Sequence, residues 1–248
     1  MKLRPGTGPR GHRGGKNEIS LSRAISKFGI ASRTQARAMV LAGEVKVNGL
    51  VTRDPDVWID PRRDTIERGG VKLKARSFVY LALNKPAGVV TTRSDERGRA
   101  TVYSLLPADT PWVFPVGRLD RESSGLLIMT NDTPFGERLT SPAAKLPKVY
   151  EVRLDRPLHE TDADTLRKGM TAKGERYRPV GVERHEDDPR AARLTLTEGK
   201  NRQIRKMLTA LGYEVHSLQR RSIGALSLGS LPPGGVRALT PAELEALE

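Results

Sequence analysis

Apolar residues first recur at helical spacing between Ile19 and Leu41. Leu21, Ile25 and Phe28 share one face, Gly29 interrupts, and Ser32 stands where a cap is wanted before a second helix over residues 33–41. Gly43 closes that helix, and "EVKVNGLV" alternates on either side of Asn48-Gly49, which predicts a hairpin with that pair in the turn. From Phe78 onward the period shortens to two. "FVYLAL" (78–83) is one predicted strand. "KVYEVRL" (148–154) is another, with Tyr150, Val152 and Leu154 on one face, and "ARLTLTE" (192–198) sets Leu194 and Leu196 together. The continuous apolar run Leu126 to Met129, bounded by Gly125 and the turn-formers Asn131, Asp132 and Pro134, reads as a short buried strand. One clear helix returns in "NRQIRKMLTALG" (201–212), with Ile204, Met207, Leu208 and Leu211 inward and Gly212 at its end.

The pattern predicts an α+β protein. A small helix-helix-hairpin domain (18–60) precedes a larger domain (78–248) with a mixed, mainly antiparallel sheet, and residues 61–77 form a short hairpin or linker between them. Residues 1–17 are rich in Gly, Pro and base and read as a disordered arm. Gly6, Gly8 and Gly11 match the dinucleotide-binding spacing, but no strand precedes them and Pro9 interrupts, so that match is set aside.

Charge narrows the partner. Lys and Arg number 43 against 29 Asp and Glu, a formal net charge of +14 over 248 residues, which favours a polyanion and above all a nucleic acid. Arg23, Lys27, Arg33, Arg37 and Lys46 fall on non-core positions of the small domain, where they suit phosphate contacts; the plainer alternative is a solvated basic face. Cys is absent, and His12, His159, His185 and His216 are too scattered for metal-ligand spacing, so no metal is expected. The basic start of the chain resembles neither a signal peptide nor an anchor. No apolar run approaches the roughly twenty residues of a membrane span, so a cytoplasmic protein without a membrane partner is expected.

The chemistry concentrates in "PVGRLDRESSGLLIMTND" (115–132). Asp120 stands between Arg118 and Arg121 at the mouth of the predicted buried strand, a position that suits a catalytic carboxylate as well as an ordinary surface ion pair.

Two resemblances resolve that ambiguity. The stretch "SRTQARAMVLAGEVKVNG", within residues 18–60, resembles the small RNA-binding module first known from ribosomal small-subunit protein number four, which implies binding of structured RNA. "LNKPAGVVTT" (83–92), "GRLDRESSGLLIMTND" (117–132), "EGKNRQIRKML" (198–208) and the later "RRSIGALSLGSLPPGGVRALTPAEL" (220–244) resemble, in order, the bacterial ribosomal RNA pseudouridine synthases, in the branch named after the small-subunit uridine enzyme.

That resemblance implies a cofactor-free isomerisation of a uridine in ribosomal RNA, naked or in a ribosome assembly intermediate, and the chain is expected to act as a monomer. It makes Asp120 the catalytic carboxylate, Arg205 the cation that keeps it charged beside apolar walls, and Tyr150 the ring that packs on the uracil. Arg118 fills the space left by the extruded nucleotide, and Lys148 and Lys85 are phosphate-binding or structural residues. Two departures stand out. Thr133-Pro134 follows "TND" where the family usually has Gly, and Ser123 stands where it often has Thr. The alternative is a catalytically silent RNA-binding or ribosome-assembly factor, for which keeping Asp120, Tyr150 and Arg205 together has no physical purpose.

Overall fold

The computed structural model describes residues 18–74 and 77–247, so the expected disordered arm and its glycine match lie outside the described residues. The chain divides into two compact units, Met1–Phe78 with Pro111–Val113 and Val79–Thr110 with Phe114–Glu248.

In the first unit the helices Leu21–Lys27 and Arg33–Leu41 close over one core, in which Leu21, Ala24, Ile25, Ala36, Val40 and Val45 are fully buried and Phe28 packs at the edge. The second helix starts at Ser32 because both ends of a capping box are made there. Ser32 Oγ accepts from Gln35 N at 3.1 Å, and Gln35 Oε1 accepts from Ser32 N at 3.1 Å. The hairpin Val45–Val47 and Leu50–Thr52 turns on Asn48 (φ 52°) and Gly49 (φ 83°), the pair of left-handed residues that a tight hairpin of this twist requires. Residues 61–77, read as hairpin or linker, contain a hairpin. Ile66–Arg68 pairs with Val45–Val47, Val71–Lys72 pairs back on it, and Ile66 is buried in the same core, so this stretch completes a four-stranded sheet instead of spanning free.

Among the described residues the second unit is built on a nine-stranded sheet. Its main path runs Gly181–Arg184, Ala191–Leu196, Lys148–Leu154, Val215–Ile223, Ser124–Thr130, Tyr80–Lys85 and Val236–Ala238, with two short strands beside it. Every pairing is antiparallel except that of Val215–Ile223 with Ser124–Thr130. One core lies under the helix Gln203–Ala210, which turns Ile204, Met207 and Leu208 inward; another surrounds Leu126 and Ile128. The expected buried strand is there, with Leu126 to Met129 at 0% exposure. Thr133-Pro134, the departure from the family pattern, opens a helix (Thr133–Thr140) in which Asp132 accepts from Phe135 N at 3.1 Å, so proline occupies a first-turn position that needs no donor. No helix among the described residues is long and apolar enough to cross a membrane.

The parallel seam is short, only Gln219 opposite Ser124 and Arg220 opposite Gly125, and the backbones meet closely there. Gly125 has φ +103°, and a Cβ on it would fall 2.2 Å from Arg220 O. Gly125→Ala should therefore lower stability by about 3 kcal/mol or more, read as a drop in the urea midpoint. A midpoint equal to wild type would show that the seam yields freely.

Candidate active site

Asp120 lies in the loop that leads from Phe114–Pro115 into Ser124–Thr130, at the strand mouth where the sequence places it. The loop is held by its backbone. Leu119 O accepts from Thr91 Oγ1 at 2.9 Å, and Leu119 N donates back to the same hydroxyl at 3.3 Å. Arg121 O accepts from Gly88 N at 2.8 Å. Lys85 Nζ donates to Ser123 O at 2.7 Å, Pro86 O at 2.9 Å and Arg121 O at 3.4 Å. Arg205 Nη2 donates to Glu122 O at 3.2 Å while Nη1 donates to Val215 O at 3.0 Å, which ties the loop to the helix Gln203–Ala210 and the strand beyond it.

One expectation narrows here and another changes. Lys85, expected as a phosphate-binding or structural residue, is fully buried and directs its ammonium at three carbonyls, so it supports the loop from within. Burial pulls its pKa down to about 8, against the opposing pull of Asp120 and Glu122. Arg205, expected as the ion-pair partner of Asp120, makes no such contact. Its guanidinium is engaged by carbonyls; burial and then Arg202 lower its pKa, while Glu122 and Asp120 raise it electrostatically. The arginine is thus near the acid without touching it.

Asp120 is half-buried, and among the described residues its carboxylate makes no hydrogen bond and no ion pair. The surface ion pair weighed as its plain alternative is not formed: Arg121 lies 3.5 Å from Glu122, and Arg202 takes Glu122 at 2.6 Å. The free carboxylate faces a cleft of about 690 Å³, whose walls include Arg118, Ser123, Lys148, Tyr150 and Arg220. Arg118 is exposed at this cleft. Tyr150 is half-buried on the strand Lys148–Leu154, opposite Leu194 on one side and Arg220 on the other. Lys148 gives Leu146 O a hydrogen bond of 3.1 Å; burial lowers its pKa, and the charge of Arg220 adds to that.

Arg220 is a site residue that the sequence motifs do not single out. It is 3% exposed, donates from Nε to Leu126 O at 2.7 Å, and has a buried terminal nitrogen with no partner. Its signal was present, since it follows Leu218 by two residues on the inward period of a strand, but the Arg220-Arg221 doublet reads as surface charge. Ser123 Oγ, in a residue 2% exposed, is likewise without a partner.

The five basic residues singled out in the small domain are all exposed at its surface. Arg37 differs from the rest, because its Nη1 lies 2.6 and 2.8 Å from the two carboxylate oxygens of Asp56. Few acids flank these positions locally, and the aspartate that does reach Arg37 stands 19 positions on. Among the described residues Arg23, Lys27, Arg33 and Lys46 form no ion pair.

Comparison with known proteins supplies a family for this geometry. Residues 79–210 match the RNA pseudouridylate synthase family, and residues 21–60 match the S4 domain. An uncharacterized RNA pseudouridine synthase of Aquifex aeolicus (strain VF5) is 35% identical over 234 residues, which cover 93% of this chain and 94% of that protein. Ribosomal large subunit pseudouridine synthase B of Bacillus subtilis (strain 168) is 33% identical over 231 residues, covering 92% of this chain and 94% of its own. A crystal structure of a pseudouridylate synthase superposes with a TM-score of 0.69 at 31% identity, over 93% of this chain and all of the other. With its main domain matched by the family model and its whole length paralleled in these relatives, the chain belongs to the RNA pseudouridylate synthase family and is an RNA pseudouridine synthase with an S4 domain in front.

Proposed function

We propose that this enzyme converts a uridine of ribosomal RNA to pseudouridine, with Asp120 as its catalytic carboxylate. The observation that carries the reading is that carboxylate: half-buried, turned to the cleft and without a partner, while the backbone on both sides of it is fastened. A side chain so placed is available to a substrate and needs no other bond broken first.

The reaction cuts the bond between uracil nitrogen and ribose, turns the base over and rejoins it through a ring carbon. Asp120 acts on the sugar, either by attack on the anomeric carbon or by removing a proton from the carbon beside it. Glycosidases pair two carboxylates so that one activates water, whereas an isomerase must keep water from the severed pair, and a cleft with one free carboxylate fits that need.

Uridine within folded RNA reaches such a cleft only when extruded, at a cost of a few kcal/mol. In this reading Tyr150 packs on the extruded uracil and Arg118 occupies the vacated space. Arg205 acts through the loop carbonyl it holds, as a positioning residue. The B. subtilis relative named for the large ribosomal subunit supports ribosomal RNA as the substrate class, and the S4 domain with the +14 charge supports extended phosphate contact. The enzyme acts in the cytoplasm as a single chain, on naked ribosomal RNA or on an assembly intermediate.

Asp120→Asn should abolish pseudouridine formation in ribosomal RNA while RNA affinity stays near wild type, checked by sequencing for the modified base alongside a binding titration. Turnover near wild type in that variant would refute the assignment.

The pH dependence follows from Lys85. Deprotonation removes the charge that grips Arg121 O and Ser123 O, so the single-turnover rate at saturating RNA should fall as pH rises through about 8. Stability moves the other way. The folded state binds that proton less tightly than the unfolded chain, so between about 8 and the ordinary lysine value of 10.5 the contribution of Lys85 to stability increases with pH. A rate that stays level across that interval would contradict this role.

For the small domain, changing Arg23, Lys27, Arg33 and Lys46 to Gln should flatten the slope of log affinity against log salt by roughly one for each phosphate that is no longer neutralised. Arg37→Gln, whose charge already faces Asp56, should change it less. An unaltered slope in the fourfold variant would place the RNA elsewhere.

A further inference from the structure

Arg220 occupies the point where the two halves of the large sheet join. It is opposite Tyr150 in the antiparallel pairing and opposite Gly125 in the parallel one, and the ladder with the Tyr150 strand slips between Val149 and Tyr150, an irregularity of the kind that re-aims a side chain. One of its donors is satisfied, Nε on Leu126 O, whereas the buried terminal nitrogen is not. A buried guanidinium donor without an acceptor is unfavourable and calls for a ligand or a function.

The surroundings say which kind of ligand. Lys148 lines the same cleft, bonds to the carbonyl of Leu146 and, among the described residues, pairs with no acid. Arg220 is likewise paired with no carboxylate, and Asp120, on the same cleft, bonds to neither cation. The Ser123 hydroxyl nearby is buried without a partner as well. Two positive charges and a hydroxyl thus line one cleft, with no carboxylate on either charge and with a polar atom of Arg220 and of Ser123 left unpartnered. The mutual repulsion shows in Lys148, which Arg220 pushes further in the direction burial already takes it. A neutral uracil carbonyl would fill one hydrogen bond and leave that repulsion standing. An anion with several oxygens relieves both, and the planar guanidinium suits phosphate geometry.

We propose that Arg220, with Lys148 and Ser123, forms a phosphate subsite inside the cleft that binds the phosphodiester flanking the extruded uridine. The proposal rests on the reading of this cleft as the uridine site. It gives the cleft a means of favouring the extruded nucleotide over a free base, because the backbone phosphate reaches Arg220 only when its nucleotide has swung inward. It also leaves Asp120 unpaired at the sugar, since Arg220 and Lys148 bind the phosphate instead of the acid.

The test compares binding of uridine, uridine 3′,5′-bisphosphate and the neutral uridine 3′,5′-bis(dimethyl phosphate) to the full-length wild type, Arg220→Gln and Lys148→Gln. The bisphosphate should bind wild type about tenfold or more tightly than either neutral compound, as expected for hydrogen bonds to a charged group. In Arg220→Gln that preference should collapse to within about twofold with uridine itself little changed, and in Lys148→Gln it should fall part of the way. A preference preserved in Arg220→Gln overturns the subsite, and so does an equal loss for uridine, which would assign Arg220 to the base. Should Arg220→Gln fail to fold for want of its bond to Leu126 O, the wild-type arm decides alone: a neutral triester that binds as well as the bisphosphate overturns the proposal. The two readings fail separately. Product lost in Asp120→Asn with the preference intact in Arg220→Gln removes the subsite only, whereas product retained in Asp120→Asn with the preference lost in Arg220→Gln removes the catalytic assignment only.

Discussion

The second unit depends on cations that grip the backbone of the Asp120 loop and leave its carboxylate alone. Lys85 and Arg205 donate to the carbonyls of Arg121, Glu122 and Ser123, and the Thr91 hydroxyl holds Leu119 from the other end. An ion pair to Asp120 itself would keep the acid charged but would have to be broken or shared when a substrate arrives. Fixing the carbonyls instead restrains the acid through its own main chain, so its position is set and its oxygens remain available. Burying a lysine for this purpose is costly, as its lowered pKa shows, and three hydrogen bonds offset part of that.

The sheet explains how so many distant segments reach one loop. Tyr80–Lys85 delivers Lys85, Val215–Ile223 delivers Arg220 and the carbonyl of Val215, and Lys148–Leu154 delivers Lys148 and Tyr150. These strands meet around the short parallel seam at Gly125, where the absence of a Cβ lets the backbones close to contact. A parallel contact within an otherwise antiparallel sheet interrupts regular pairing, and the cleft lies beside that interruption. Buried orphan atoms of Ser123, Arg205 and Arg220 collect in the same neighbourhood, as expected where polar groups are kept for a ligand.

Local chemistry was legible in the sequence where it acts over a few residues. Ser32 marked a helix start, Asn48-Gly49 marked a hairpin, Gly212 (φ 84°) followed a helix end, and the uninterrupted Leu126 to Met129 marked a buried strand. Asp120 could be placed at a strand mouth by the same means. What the sequence did not disclose depends on through-space partners. Lys85 and a surface lysine look alike until three carbonyls converge on one of them. The family resemblance assigns Arg205 to the acid as its cation, whereas its actual partners are main-chain oxygens that carry no sequence signature. Arg37 was missed as a paired residue because Asp56 reaches it only across the folded domain, and Arg220 was hidden in a doublet whose two members have different surroundings. Residues 61–77 were undecided for a related reason, since a hairpin is recognised as part of a domain only when its pairing partner, Val45–Val47, is known.

The meeting of the Asp120 loop with a nucleotide is seen most directly in a crystal structure of the full chain with substrate RNA. An extruded uridine should occupy the cleft, its ribose against the carboxylate of Asp120 and its base on the ring of Tyr150, with Lys85 and Arg205 still on the loop carbonyls. A uridine left stacked in the RNA above an empty cleft, or a ribose bound away from Asp120, would contradict the role given to that carboxylate.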